Sequence, residues 1–213
     1  MKIVVDHLTK ELRGAVVLED VCAVMESGYI YGLQGVNGSG KTMLLRAICG
    51  LIRPSSGGVY IDGQLLGKAM DFPPSVGLLL ENPSFLPGYT GRDNLLMLAR
   101  LRGMGVREVE QALKLVGLQP DDKRKFRKYS LGMKQRLGIA GAILGGPELV
   151  VLDEPFNALD PQGVQDLHRL ILRLKEEKRL VILACHVAGE LQTLADTCFT
   201  MERGRLLPNE EKT

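Results

Sequence analysis

An α/β fold built on a mixed, mainly parallel sheet is what this sequence predicts, and three observations predict it. A glycine-rich loop joins the apolar run at 29–33 to a helical pattern at 41–49. Two continuous apolar runs, 149–152 and 180–185, flank an amphipathic stretch at 161–178. Between these halves the chain shows helical periodicity with no strand pattern from 92 to 144. Strand, helix and strand in succession imply parallel pairing, because the helix returns the chain to the edge from which the first strand began.

Element by element, the first 30 residues read as antiparallel strands, with apolar alternation at 3–5, 16–18 and 21–24 and turn signals at Arg13-Gly14 and Ser27-Gly28. The helix over 41–49 carries Leu44, Leu45 and Ile48 on one face and meets Gly50 as its stop. After a turn-rich break at 53–58, a hairpin is expected around 59–63 and a buried strand over 76–80. From Glu81 the composition changes to loop residues and then to helical patterns at 92–102, 106–116 and 132–144. The helix beginning at 161 has Asp160 as N-cap and Pro161 in its first position, where a missing N–H costs nothing. The expected organisation is one domain over 1–213: a core and β part at 1–78 and 137–213, holding an inserted helical subdomain at 79–136.

Composition sets the outer limits. The 213 residues are 45% hydrophobic and 24% charged, ordinary for a globular chain and unlike disordered, collagenous or coiled-coil sequences. Lys and Arg number 27 against 25 Asp and Glu, a net +2 that gives no electrostatic support to nucleic-acid binding, and none is expected. The apolar runs are far shorter than the 18 or so residues of a membrane span. The N-terminal stretch lacks the basic start, apolar segment and small-residue cleavage site of an exported chain, so a cytoplasmic location is expected. Cys22, Cys49, Cys185 and Cys198 form no CxxC pair and have apolar neighbours; they are expected as reduced core thiols, not as a metal site or disulfides.

Two motifs carry chemistry. Gly35-Val36-Asn37-Gly38-Ser39-Gly40-Lys41-Thr42 matches GxxxxGK[ST] between a strand and a helix, the context the pattern requires. Residues without Cβ let successive amides converge on phosphate oxygens at a helix N-terminus. Lys41 is then expected to neutralise the terminal phosphates of ATP, and Thr42 to ligate Mg²⁺. Asp153 and Glu154 close the apolar strand at 149–152, and the carboxyl end of a parallel strand is where open α/β sheets bind ligands. Asp153 is expected to hold Mg²⁺, and Glu154 to act as general base toward water. Together these motifs specify a P-loop NTPase.

Tyr129-Ser130-Leu131-Gly132-Met133, followed by residues 134–140, narrows the class. It resembles the signature of the ATP-binding subunits of ABC transporters, Asn157-Ala158-Leu159-Asp160 resembles their D-loop, and His186 stands where their switch histidine belongs. The resemblance runs over essentially the whole chain. Residues 79–85 and 129–136 look like the branch associated with lantibiotic immunity and bacitracin-type resistance. The pattern shows three departures: Leu131 and Met133 replace glycine and glutamine, Glu81 stands at the Q-loop glutamine, and Leu12 and Arg13 occupy the place of the adenine-stacking aromatic.

The resemblance implies a subunit that hydrolyses ATP to power a separate integral-membrane permease, exporting or conferring resistance to a peptide antibiotic or similar amphiphile. It implies a homodimer or pseudo-dimer when ATP is bound, in which Ser130, Leu131, Gly132 and Asp160 of one copy reach the nucleotide of the other. It implies contact of His186 with the γ-phosphate, with Glu81 offering an oxygen near the nucleotide to Mg²⁺ or its water, and a place on the inner membrane face. The competing classes are a soluble ABC-type ATPase acting on nucleic acid or ribosomes, and a P-loop kinase of small metabolites. The basic block at 123–128 reads as a solvated loop, or as a contact for the permease or anionic lipid.

Overall fold

The computed structural model describes residues 1–186 and 188–208, and the sheets expected from the sequence are both present. The chain opens with β1 (Lys2–Leu12) and β2 (Ala15–Glu26), an antiparallel ribbon turned at Arg13 and Gly14. β3 (Ile30–Gln34) leads through the glycine-rich loop into α1 (Lys41–Ile48). The chain then returns to the ribbon as β4 (Ser56–Ile61) and β5 (Gln64–Leu65), completing an antiparallel sheet ordered β2-β1-β4-β5.

β6 (Val76–Leu79) begins the second sheet, and α2 (Gly91–Leu101), α3 (Val106–Leu115), a 3-10 turn at Phe126–Lys128 and α4 (Leu131–Ile143) follow it. The core then closes with β7 (Leu149–Asp153), α5 (Pro161–Glu176), β8 (Leu180–Cys185), α6 (Ala188–Leu194), β9 (Thr197–Glu202) and β10 (Arg205–Pro208). This six-stranded sheet is ordered β10-β9-β3-β8-β7-β6, parallel throughout except at the β9–β10 edge.

The continuous apolar runs are explained by burial of this sheet on both faces, since every residue of β7 and β8 is buried. Leu180, Ile182 and Ala184 pack on one side with α1 and the antiparallel sheet; Val181, Leu183 and Cys185 pack on the other with residues of α2 to α6. The helices start where the sequence supplies caps. Thr90 and Asp93 form a reciprocal capping box on α2, Ser130 Oγ accepts the Met133 N–H of α4, and Asp160 accepts the Gly163 N–H of α5.

Three differences from expectation have physical reasons. The boundary expected between 136 and 137 falls inside α4, a continuous helix that packs on α2 and α3 and also on β6 and β7. The strands β9 and β10 and helix α6 carry no strong periodic signal: β9 mixes Thr197, Thr200 and Glu202 with its apolar residues and lies beside the edge. The expectation of four core thiols holds for Cys49 and Cys185, while Cys198 is partly exposed and Cys22 is exposed on the outer side of β2. Burial holds the Cys49 thiol up at a pKa of about 12, far from the reactive thiolate. No described helix is long and apolar enough to cross a membrane.

Candidate functional site

A cleft of about 750 Å³ opens along the carboxyl ends of β3 and β7, and the glycine-rich loop forms its floor. The loop turns into α1 at Gly40, whose φ of 111° calls for glycine. Lys41 is buried and folds back over the loop, donating to the carbonyls of Gly35 (2.6 Å) and Val36 (3.2 Å). This arrangement keeps a cation beside a helix N-terminus with unpaired amides, an anion site by both charge and dipole.

Opposite the loop, Thr42 Oγ1 donates to Asp153 Oδ2 at 2.6 Å, joining the first turn of α1 to the end of β7. Asp153 is only 3% exposed, and burial, the leading cause, lifts its carboxyl above the usual range against the opposing Thr42 hydrogen bond. Its second oxygen, Oδ1, has no hydrogen-bond partner, and neither do the buried Glu154 Oε1 and Ser39 Oγ. Buried oxygens without partners are costly unless something binds them. An all-oxygen set of Thr42 and Asp153 beside a phosphate loop fits the chemistry of Mg²⁺.

Glu154 follows in left-handed backbone geometry, φ 50°, uncommon for a residue with a Cβ. Its N–H donates to Ala184 O (2.8 Å), and Gln135 Nε2 of α4 donates to the carbonyls of both Glu154 (3.0 Å) and Pro155 (3.1 Å). Held in this way, the carboxylate faces the cleft, with Oε2 2.7 Å from His186 Nδ1 and Oε1 4.0 Å from Lys41 Nζ. Gln135 thus positions the very residue the sequence singles out; a mid-helix glutamine offers no signal of that role.

Glu81 also reaches the cleft, at φ 58°, but its carboxylate pairs with Arg46 of α1 at 2.5 Å. Ser130, Leu131 and Gly132 lie at the exposed N-terminus of α4, with Leu131 72% exposed. Gly132 runs close to the loop after β7, since a Cβ there would stand 2.8 Å from Ala158 O. Asp160 binds Arg136 at 3.1 Å besides capping α5. Of the expected set, Asn37, Gly38, Gly40, Lys41, Thr42, Glu81, Asp153 and Glu154 come together on the cleft wall, and His186 reaches it through Glu154. Ser130, Leu131, Gly132 and Asp160 are not among the residues lining this cleft.

The cleft is also walled by Val16 and Val17 of β2 and by Arg203 and Gly204 of the β9–β10 turn, with Leu12 and Arg13 not among its lining residues. The turn is fastened by Gly204 N–H to Ser39 O (2.9 Å) and Glu19 N–H to Gly204 O (2.8 Å). Sequence reasoning missed this wall because a two-residue turn late in the chain carries no motif.

Comparisons with known proteins agree with this fold. Residues 18–157 match the family model described as ABC transporter. An ABC transporter ATP-binding protein of Bacillus subtilis (strain 168), YybJ, is 41% identical over 96% of this chain and 94% of its own length. The bacitracin transport ATP-binding protein BcrA of Bacillus licheniformis is 41% identical over 86% of this chain, which spans 61% of that relative's length. A solved structure of an ATP binding subunit of an ABC transporter superposes with a TM-score of 0.87 at 27% identity, covering 97% of this chain and 88% of the other.

Proposed function

Because this chain belongs to the ABC transporter family, as one of its ATP-binding ATPase subunits, we propose that it drives a permease made of separate membrane-spanning chains, and that the cargo is a peptide antibiotic or similar amphiphile. The cargo rests on likeness to the bacitracin transport protein, and the need for a permease on the lack of a spanning helix among the described residues. The names of the relatives favour this reading over an ATPase acting on nucleic acid or ribosomes and over a small-molecule kinase. The proposed workplace is the inner face of the membrane, against the permease.

The observation that carries the mechanism is the coupling of two hydrogen bonds at one cleft, Thr42 to Asp153 and Glu154 to His186. The loop amides from Gly35 to Gly40, with Lys41, hold the triphosphate. Thr42 and Asp153 would hold Mg²⁺, which supplies charge neutralisation to the leaving phosphates. Glu154 accepts the proton of the attacking water, and His186 orients Glu154 and faces the γ-phosphate. Glu81, balanced by Arg46, borders this centre and opens the 79–136 segment, which we read as a helical subdomain able to carry the nucleotide state toward the permease.

One chain leaves the γ-phosphate side open. The α4 N-terminus supplies what closes it in a second copy: the Ser130 hydroxyl and the first-turn amides at Leu131 and Gly132, with Ser130 and Leu131 exposed. Loss of the γ-phosphate then releases the pair. The test uses Glu154→Gln. It should keep ATP affinity, lose about 10²- to 10⁴-fold in turnover, and form an ATP-dependent dimer in light scattering that a further Ser130→Ala change weakens. Wild-type turnover in Glu154→Gln rejects the base, and a monomer at saturating ATP and Mg²⁺ with the permease present rejects the paired mechanism.

A further inference from the structure

Away from the nucleotide cleft, β1 and β2 bring His7, Asp20 and Cys22 together on the outer face of the antiparallel sheet. One potential ligand atom from each lies within 4.8 Å of the others, and all three residues are exposed. The pairing between the two strands is irregular here, with the register shifting between Val5 and Leu8 and again between Leu8 and Lys10. His7 and Asp20 both take left-handed backbone angles, φ 46° and 50°. Such irregularities re-aim side chains that regular pairing would send elsewhere.

The frame behind the three side chains is fixed. Leu8, Leu18 and Val21, their neighbours in sequence, are fully buried, and Asp20 N–H donates to Thr9 Oγ1 at 3.1 Å. Gly57 of β4 runs so close that a Cβ there would meet His7 O at 2.1 Å, so the neighbouring strand packs directly against the His7 backbone. His7 Nδ1 lies 2.7 Å from Asp20 Oδ1, and His7 N–H donates to Cys22 Sγ at 3.3 Å.

We propose that His7, Asp20 and Cys22 form a surface site for Zn²⁺, three protein ligands with a fourth position open to water. Nitrogen, oxygen and sulfur from these residue types are what zinc takes, and a mixed set containing thiolate disfavours Mg²⁺ and Ca²⁺. Zinc bonds of about 2.0–2.3 Å put tetrahedral ligands roughly 3.5 Å apart. The His7–Asp20 pair is already closer than that, and rotation about the exposed side chains closes the remainder. The site joins two strands, one ligand from β1 and two from β2, so the bound ion staples the ribbon whose Val16 and Val17 line the nucleotide cleft.

A second group, Glu154, Cys185 and His186, could compete for metal, so the experiment is run with ATP and Mg²⁺ saturating. Co²⁺ serves as a spectroscopic probe for Zn²⁺. The wild-type protein should bind one equivalent with a thiolate-to-cobalt charge-transfer band, displaced by Zn²⁺. Cys22→Ser should abolish the band, His7→Asn and Asp20→Asn should weaken binding about tenfold or more, and basal ATPase activity should stay unchanged in all three. Zn²⁺ at about 100 times its Kd should raise the wild-type Tm by about 5–10 °C and leave Cys22→Ser unmoved. Independently of any substitution, Zn²⁺ should protect Cys22 of the wild type from a thiol reagent. A band that is missing, that survives Cys22→Ser, or that disappears with Cys185→Ser instead overturns the proposal, as does unprotected Cys22.

Discussion

Asp153 shows how a single residue can be held at a cost to the fold. Its carboxylate is nearly sealed from water, partnered through one oxygen only, and pushed toward the neutral form by burial. With the folded pKa above the unfolded one, the fold is favoured at pH below the carboxylate range and loses that advantage as pH rises through the raised value. Asp153→Asn removes the buried charge while keeping an acceptor for Thr42. At neutral pH this variant should melt about 2–4 °C higher, the change that roughly 1 kcal/mol makes in a domain of this size, while its Mg²⁺-dependent ATP hydrolysis is lost. Calorimetry as a function of pH checks both halves: the stability gap should shrink on acidification. Asp153, Lys41 and Thr42 were legible from the sequence because their motifs fix them within a few residues of a strand end or a helix start. The pairing of Glu81 with Arg46 was not, since a residue in α1 and one beyond β6 meet only through the sheet.

At the scale of elements, α4 joins the parts. Its N-terminus offers Ser130 outward, its middle sends Gln135 to the carbonyls beneath Glu154, and its far end presses on β6. That last contact is so close that a Cβ on Gly77 would stand 1.6 Å from Ala142 O and 2.7 Å from Pro147. Gly77→Ala must push helix from strand and should destabilise the fold by about 1–3 kcal/mol or more, the usual scale of overpacking, seen as a lower midpoint in denaturant titration. A denaturation curve matching wild type would mean the helix yields freely. The helices α1 to α5 could be read from periodicity, with Asp160 marking the start of α5, whereas the Thr90 cap of α2 came only with the structure. The run of α4 through the expected subdomain boundary could not, because its all-round apolar character at 137–143 suits a helix buried between two layers and gives no hint of where one layer ends.

Across the whole molecule, the parallel sheet divides two apolar cores, and the cleft lies where their boundary reaches the surface. Burial of β7 and β8 on both faces explains why their continuous apolar runs, with the glycine-rich loop and the helical middle stretch, made the fold class legible, whereas β9 and β10, near the sheet's edge and mixed in composition, came into view only in three dimensions. That late hairpin nevertheless grips Ser39 and β2 through Gly204, where an added Cβ would meet Val17 O at 2.8 Å and φ is 82°. Gly204→Ala should weaken ATP binding about tenfold, near 1.4 kcal/mol, with Lys41 and Thr42 untouched, as read by nucleotide titration. Genetic lesions in the β9–β10 turn can therefore mimic those in the glycine-rich loop, and a variant scan that scores only recognised motifs will misfile them as silent.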